Sequence, residues 1–263
     1  MGRGFGVTAA VGHDVVTELA SECERLGYTS FWANDIPDAE GLASLAAAAA
    51  STRHIQLGVG VIPLDRRPPA DIARRVNDLG LPPDRLLLGV GGGNRLEALA
   101  LVRDGVAELA SELGARVVVG ALGPKMSALA GEVADGVLFN WMTPEYTGRA
   151  GRLVLDAATA AGRPRPALMA YVRCGLLPAA EPRLAQELDR YAGIATYERH
   201  VARMGAGVRE ACVTGHDSAA LQAGIAAHEA VLDETVVRAI TPDDSFASLL
   251  ELARACAPGE TRT

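Results

Sequence analysis

The sequence predicts a parallel (β/α)8 barrel, also called a TIM barrel, on the basis of its length, its alternation of strands and helices, and the residues that follow the strands. The chain has 263 residues, a length that suits one large α/β domain better than two small ones. Short apolar runs alternate with helical segments eight times along the chain, as in a parallel barrel. Glycines and polar residues follow most of these runs, which is where a barrel collects its functional residues. An open doubly wound sheet is the alternative that the same alternation allows.

The eight predicted strands are rich in Val, Ile and Leu, as expected for strands that are buried on both faces. They are 4–8, 29–33, 55–60, 86–89, 117–119, 137–139, 168–172 and 235–239. In the third strand, the glycine alternation of LGVGV favours a bulge or a close approach of another backbone. We expect 1–263 to form one domain with a frayed tail from about 258.

The predicted helices follow from apolar residues at helical spacing and from glycine or proline at helix ends. They cover 15–26, 41–50, 69–78, 96–113, 146–161 and 245–257, with two or three more helices within 183–232. Another helix starts at Lys125 and is predicted to stop at Asp135, with Gly136 in the favoured C-terminal position. The fourth and fifth strands are thus joined by little more than one helix.

The stretch 116–145 carries the clearest chemical prediction. A buried strand is followed by a turn that contains two glycines and a proline, and then by a helix. Backbone N–H groups at such a helix N-terminus suit a phosphate. Lys125, the only lysine in the chain, adds a full charge there, although it also fits the description of an ordinary surface lysine. The candidate phosphate-binding residues are Gly120, Ala121, Leu122, Gly123, Pro124 and Lys125.

Further candidate site residues follow the other predicted strands. They are Asn34, Asp35, Gly60, Val61, Gly91, Gly92, Gly93, Asn94, Asn140, Trp141 and Arg173, with His13 in the loop after the first strand. Glycines at several of these positions allow the backbone to come close to a flat, extended ligand. Asp35 suits proton transfer or orientation of a ring, but an aspartate that binds loop amides fits equally. Trp141 is either a pocket wall or a packing residue, and Arg173 suits an acidic substrate or coenzyme tail.

Composition excludes several classes of protein. The net charge is −7 without a basic cluster, which argues against a nucleic-acid partner, and no apolar run is long enough to span a membrane. The four cysteines lie far apart, so we expect free thiols in the cytoplasm. The histidines lack metal-binding spacing, and the sequence contains neither a GxSxG elbow nor a P-loop. We therefore expect no metal site.

The chain resembles the luciferase-like flavin and deazaflavin oxidoreductases, in particular the coenzyme F420-dependent branch that includes methylenetetrahydromethanopterin reductase. The resemblance lies in 20–37, 52–69, 84–94, 120–145, 170–173 and 187–205. Its most specific part is GALGPKM…LAGEVADGVLFNW, which starts at Gly120.

The resemblance implies how a cofactor would be held. Asn34 and Asp35 would reach its ring, and a non-proline cis peptide between Gly60 and Val61 would lie behind it. The loop of Gly91, Gly92, Gly93 and Asn94 would line the ribityl side, the 120–125 turn would hold the phosphate, and Asn140 and Trp141 would border the same mouth. The family usually has a long insertion between the fourth and fifth strands, and this chain lacks it.

The leading hypothesis is a cytoplasmic F420-dependent oxidoreductase that transfers hydride between the deazaflavin and an organic substrate. Asp35 is its catalytic candidate, and Arg173 and His13 are its substrate-binding candidates. The alternatives are an FMN-dependent monooxygenase, a cofactor-binding homologue without catalysis, and a non-redox phosphate-binding barrel. The resemblance also implies a homodimer.

Overall fold

A computed structural model describes residues 1–93, 95 and 97–259. Within them the strands are β1 (Gly2–Thr8), β2 (Ser30–Asn34), β3 (Gln56–Pro63), β4 (Leu86–Gly91), β5 (Arg116–Ala121), β6 (Gly136–Asn140), β7 (Ala167–Leu176), β8 (Val213–Gly215) and β9 (Glu234–Ala239). The α-helices are α1 (His13–Arg25), α2 (Gly41–Ser51), α3 (Pro69–Asp78), α4 (Ala98–Leu113), α5 (Pro124–Val133), α6 (Pro144–Ala160), α7 (Glu181–Ala192), α8 (Ala195–Met204), α9 (Ser218–Glu229) and α10 (Phe246–Ala255).

The strands close into the predicted parallel barrel. Each strand from β1 to β6 pairs with the next strand along the chain, and β9 closes the circle by pairing with both β7 and β1. The predicted eighth strand is therefore β9. The short strand β8, which was not predicted, pairs with the last three residues of β7, Cys174 to Leu176, beyond the point where the pairing of β7 with β6 ends at Tyr171.

Side chains alternate between the barrel interior and the layer between strands and helices, because successive strand residues point to opposite faces. Trp32, Leu138 and Tyr171 belong to the interior cluster, and their sequence neighbours pack under the helices. The glycines of β3 make room for these large rings. A Cβ on Gly58 would lie 2.2 Å from the Trp32 ring, and one on Gly60 would lie 2.6 Å from the Tyr171 hydroxyl.

The irregularity predicted in β3 is present. Its pairing with β4 shifts register between Val59 and Ile62, and the peptide bond between Gly60 and Val61 is cis. Both predictions for this strand are confirmed. The irregular segment lies at the C-terminal end of β3 and faces the barrel mouth.

Two predicted boundaries are wrong. Helix α5 ends at Val133 with Ala134 in an extended conformation, and Gly136 begins β6 instead of ending a helix. The lack of a side chain at Gly136 leaves room for Met169, whose Cε would lie 2.7 Å from a Cβ there. Strand β7 continues to Leu176, because β8 and β9 both offer it hydrogen-bonding partners. The predicted helix start at 96 and the last four residues of the predicted tail lie outside the described residues.

The connection from β4 to β5 contains the single helix α4, as predicted. The long connection between barrel strands is instead the one from β7 to β9. Between β7 and β9 the chain forms α7, α8, a 3-10 turn at Val208–Ala211, β8 and α9. This connection places α7 and α8 over the barrel mouth.

Candidate active site

Two adjoining cavities open at the C-terminal ends of the strands. The larger has a volume of about 460 Å³ and the smaller about 240 Å³. Gly60, Val61, Asn140, Tyr171 and Tyr197 line both cavities. We name the larger cavity the glycine lobe, after its lining residues Gly60, Gly91, Gly92, Gly93 and Gly120. The smaller is the arginine lobe, after its lining residues Arg173, Arg190 and Arg238.

Main-chain atoms form much of the wall of the glycine lobe. A Cβ on either Gly91 or Gly120 would lie 3.0 Å from a methyl group of Val61, so both glycines let the Val61 side chain lie between β4 and β5. Gly93 has a φ of 61°, and a Cβ there would lie 2.0 Å from the Asp65 carboxyl group. The backbone at these glycines lines the lobe directly and can lie close to a flat ring. Asn94, which was predicted to line the same side, lies outside the described residues.

Only part of the predicted phosphate-binding turn lines the glycine lobe. Gly120, Ala121 and Leu122 line it, whereas Gly123 and Pro124 line a small pocket of about 80 Å³ between α5 and α6. Lys125 lies in the first turn of α5 with an exposed side chain and is not among the residues that line the glycine lobe.

A second cation lies beside this turn. A guanidinium nitrogen of Arg203, which belongs to α8, would be 3.3 Å from a Cβ on Gly123. This contact could not be predicted from local sequence patterns, because Arg203 and α5 are distant along the chain. The N-terminus of α5 therefore has two cationic side chains near it, Lys125 from its own first turn and Arg203 from α8.

Helices α7 and α8 cover both lobes. Ile194, Thr196 and Tyr197 lie over the glycine lobe, and Glu187 and Tyr191 over the arginine lobe. These two helices cover the site in a chain that lacks the insertion that the resemblance implied between the fourth and fifth strands. None of these five residues was predicted, although aromatic residues in an otherwise charged helical stretch, YAGIATYERH, were a visible signal.

His200 ties the cover to the barrel. Its two ring nitrogens lie 2.9 Å from the Leu122 carbonyl oxygen and 2.7 Å from the Trp141 carbonyl oxygen. Burial lowers the pKa of His200, while the two carbonyl groups partly offset that effect. Helix α8 is thereby fixed to the loops after β5 and β6, which border the glycine lobe.

Tyr171 lies where the two lobes meet. Its side chain is 6% exposed, and its hydroxyl group has no hydrogen-bond partner in the described part of the chain. Burial raises the pKa of this hydroxyl well above its ordinary value, although Arg238 and Arg173 lower it in part. The Oδ1 atom of Asn34, in the arginine lobe, likewise lacks a partner among the described residues. A ligand's polar atoms would satisfy both groups.

Asp35 lines the arginine lobe and also has a structural role. Its Oδ1 accepts a hydrogen bond from the Gly41 backbone at 3.1 Å, and the Arg67 guanidinium lies 3.9 Å away. Burial raises the pKa of Asp35, although the Gly41 amide and Arg67 lower it in part. A carboxyl group that is held in place and retains its proton more readily is suited to proton transfer.

Arg173 faces the arginine lobe but already has partners. Its Nε donates to Glu187 at 3.0 Å, its Nη1 donates to the side-chain oxygen of Asn140, and its guanidinium stacks 3.8 Å from the centre of the Trp141 ring. Burial raises the pKa of Glu187, but Arg238 and Arg173 outweigh burial and hold it below its ordinary value. Arg173 is therefore held in a charge-paired arrangement with little freedom to bind a ligand alone.

Two predicted residues lie away from the cavity walls. Trp141 is 1% exposed, packs edge-on to Tyr191 with ring centres 5.0 Å apart, and sits behind Arg173, which agrees with the packing interpretation. His13 is the first residue of α1 and is exposed. It is not among the residues that line either lobe.

Arg238 is the most important residue that the sequence analysis missed. It lies on the interior face of β9, two residues after the interior Val236, and it lines the arginine lobe. The same spacing connects Met169, Tyr171 and Arg173 on β7. Counting every second residue from an interior position would have found both sets.

The described residues contain no helix long and apolar enough to cross a membrane. The same residues contain no group of three or more His, Cys, Asp or Glu side chains that could hold a metal ion.

Comparison with known proteins supports the resemblance seen in the sequence. Residues 4–108 match the model of the family described as luciferase-like monooxygenase. The 5,10-methylenetetrahydromethanopterin reductase of Methanolobus tindarius is 28% identical over 184 residues, which cover 56% of this chain and 56% of that protein. The chain thus matches about half the length of this curated relative.

Solved structures share the fold over nearly the whole chain. The coenzyme F420-dependent tetrahydromethanopterin reductase of Methanopyrus kandleri has a TM-score of 0.75 at 16% identity, covering 97% of both chains. An F420-dependent secondary alcohol dehydrogenase has a TM-score of 0.72 at 15% identity, covering 97% of this chain and 98% of that one. A type II Baeyer–Villiger monooxygenase of Pseudomonas putida, in complex with FMN, has a TM-score of 0.71 at 12% identity, covering 98% of this chain and 97% of that one.

These matches confirm the sequence resemblance: residues 4–108 form a luciferase-like segment, and the barrel has the fold shared by F420-dependent reductases and luciferase-like monooxygenases.

Proposed function

We propose that this protein is an F420-dependent oxidoreductase that transfers a hydride between the deazaflavin and an organic substrate. The observation that carries the proposal is the glycine lobe, a cavity with a main-chain wall at the cis Gly60–Val61 peptide, which adjoins a polar lobe under one cover. A redox cofactor and its substrate need such adjoining spaces from which water is excluded. The sequence likeness to an F420-linked reductase branch supports the choice of deazaflavin.

The residues of the glycine lobe fit a flat tricyclic ring. Gly91 and Gly120 add no side chains of their own to the wall and leave room there for Val61, and the Tyr171 hydroxyl offers an unsatisfied hydrogen-bonding group beside it. When bound, the deazaflavin would supply the centre that accepts or donates hydride. The chain's own residues would hold the ring and the substrate, exclude water through α7 and α8, and move a proton at the Asp35 carboxyl group.

The cofactor's phosphate belongs, in this proposal, at the N-terminus of α5. The backbone N–H groups of the first turn point out of the helix there, and Lys125 and Arg203 add positive charge nearby. Since the Lys125 side chain is exposed, its contribution would come from a contact at the rim of the cavity.

An FMN-dependent monooxygenase is the second candidate, since a monooxygenase solved with FMN has the same fold. FMN also has a flat ring and a phosphate, so the glycine lobe fits both cofactors. A cofactor-binding protein without catalysis and a non-redox phosphate-binding barrel are the remaining alternatives.

Equilibrium titration distinguishes these candidates. Purified protein is titrated separately with F420 and with FMN, and ligand fluorescence is followed. We expect F420 to bind with a Kd in the range of roughly micromolar or tighter. Lys125→Ala should weaken binding by roughly tenfold, about 1.4 kcal/mol, which one charge-assisted contact can supply. The matched control is Arg74→Ala, which removes an exposed cation on α3 and should leave the Kd unchanged.

Each other outcome of the titration points to a different function. Binding of FMN alone would move the protein to the monooxygenase candidate. Tight F420 binding without turnover on a panel of carbonyl, alcohol and imine substrates would favour the catalytically silent homologue. Absence of binding by either ring would contradict the proposal and favour a non-redox barrel.

We also propose a homodimer, as the resemblance implies, and suggest the alanine-rich α2 and the proline-opened α3 as its contact surface. Sedimentation velocity at micromolar concentration is the test. A monomer of 27.3 kDa at all concentrations would contradict it.

A further inference from the structure

Arg238 is a buried cation without a carboxylate at ion-pair distance in the described part of the chain. Its side chain is 8% exposed, and its recorded hydrogen bond is donated by Nη1 to the Ala239 carbonyl oxygen at 2.7 Å. The remaining guanidinium N–H groups are available to the arginine lobe that Arg238 lines. A charged group removed from water in this way is costly unless an anion pairs with it.

The other charges of the arginine lobe do not supply that anion. Glu187 is engaged with Arg173 at 3.0 Å, and it lies beyond ion-pair distance of Arg238, although it senses that charge. Asp35 accepts from the Gly41 amide and faces Arg67. Arg190, on the surface of α7, adds another positive charge to the lining. Three cations thus face two carboxyl groups, and each carboxyl group has its own partner.

The position of Arg238 separates it from the proposed phosphate site. It lies on β9, between β1 and β7, whereas α5 follows β5, which is separated from β9 by β6 and β7. The lobe around it is polar in its lining, with Thr8 and the unpartnered Asn34 Oδ1 close by. Its volume of about 240 Å³ suits a small molecule beside the ring, not the long anionic tail of a coenzyme.

We propose that the arginine lobe binds the carboxylate of a small organic acid and that Arg238 is its charge partner. The inference rests on the proposed function, in which the adjoining lobe holds the substrate, and it assigns that substrate to the carboxylic acids. A guanidinium group pairs with a carboxylate through two parallel N–H···O bonds. Arg173, held by Glu187 and Asn140, contributes a fixed positive field.

Matched acids and amides test the proposal. Isothermal titration calorimetry in a buffer free of carboxylates measures binding of acetate, 2-oxobutanoate, crotonate and benzoate, and of the amide of each acid. Wild-type protein should bind at least one acid with a Kd of roughly millimolar or tighter, and its amide at least roughly tenfold more weakly, since the amide lacks the charge.

Variants of the lobe identify the residue responsible. Arg238→Gln should weaken binding of that acid by roughly tenfold or more, and Arg238→Lys should recover part of the loss because it restores the charge. Arg74→Gln is the matched control, since Arg74 is an exposed cation on α3 and lines neither lobe. Thermal unfolding checks that each variant is folded. If Arg238→Gln does not fold, the uncharged and similarly long Arg238→Met takes its place, and an unchanged Kd in that variant overturns the proposal.

Several results would overturn the inference. They are equal binding of an acid and its amide, absence of binding by all four acids, or acid binding that is unchanged in Arg238→Gln. Weaker F420 binding in Arg238→Gln with unaltered acid binding would assign Arg238 to the cofactor tail. If the protein binds an acid but neither F420 nor FMN, the proposed function is rejected, whereas the proposed carboxylate site is supported.

Discussion

At the scale of single residues, two buried tyrosines have hydroxyl groups in different situations, and the difference indicates that Tyr171 has a role in binding and Tyr28 a role in stability. Tyr171 packs edge-on to Trp32 with ring centres 5.8 Å apart, so its ring is fixed by the interior cluster. Its hydroxyl group has no partner within the described residues, whereas the buried hydroxyl of Tyr28 donates to the Ala253 carbonyl oxygen at 2.8 Å. The two tyrosines therefore predict opposite effects of the same substitution.

Tyr171→Phe should leave the free energy of unfolding of the cofactor-free protein unchanged or raise it by about 1 kcal/mol, because it removes a buried group that lacks a hydrogen bond. It should weaken cofactor binding by roughly threefold to tenfold. Tyr28→Phe should lower the free energy of unfolding by about 1 kcal/mol and leave cofactor binding unchanged. Urea denaturation and fluorescence titration measure the two quantities. If Tyr171→Phe destabilised the protein as Tyr28→Phe does, the hydroxyl would be structural.

At the scale of helices and strands, the sequence was sufficient for the barrel but not for its cover. The barrel strands follow from buried apolar runs, and the bulge in β3 follows from its glycines. The contact of His200 with the loops after β5 and β6 joins residues more than fifty positions apart, and no local pattern reports such a contact. For the same reason the sequence predicted Lys125 as a site residue but not Tyr197, which lines both lobes, nor Arg203, which lies beside Gly123.

Helix α1 is joined to the start of β3 by one carboxylate. Glu24 accepts hydrogen bonds from the backbone N–H groups of Arg53, His54 and Ile55 at 3.1, 2.7 and 2.8 Å. Burial raises the pKa of Glu24, but these amide groups outweigh burial and lower it. The contact lies at the N-terminal end of the barrel, away from both lobes.

Glu24→Ala should lower the free energy of unfolding by about 2 kcal/mol, because hydrogen bonds to a charged acceptor are among the stronger ones. Cofactor affinity should not change. The control is Glu18→Ala, an exposed position on the same helix, which should change stability by less than about 0.5 kcal/mol. Urea denaturation of both variants is the measurement, and equal effects would show that Glu24 does not join α1 to β3.

At the scale of the whole molecule, a buried histidine contributes to acid sensitivity. His228 on α9 is 2% exposed, and burial lowers its pKa from 6.5 to about 4. Between these two values the unfolded chain binds the proton more readily than the folded protein does. Stability is therefore fully present above about pH 6.5 and decreases as the pH falls toward 4.

His228→Leu should remove this part of the pH dependence. The free energy of unfolding of the wild-type protein should fall between pH 7.5 and pH 4.5 by about 2–3 kcal/mol more than that of the variant. His216→Leu, at an exposed position, serves as the control and should behave as the wild type does. Urea denaturation at the two pH values provides the comparison, and parallel losses in wild type and His228→Leu would rule out His228 as a source of acid sensitivity.

If the glycine lobe holds the ring of a deazaflavin or flavin against the Gly60–Val61 peptide, a crystal structure of the protein with bound F420 should show the ring in that lobe, beside Tyr171. The phosphate of the cofactor should lie near the first turn of α5, and the arginine lobe should be open toward the reactive face of the ring. A ring bound outside the barrel mouth, or one that fills the arginine lobe and contacts Arg238, would rule out this placement.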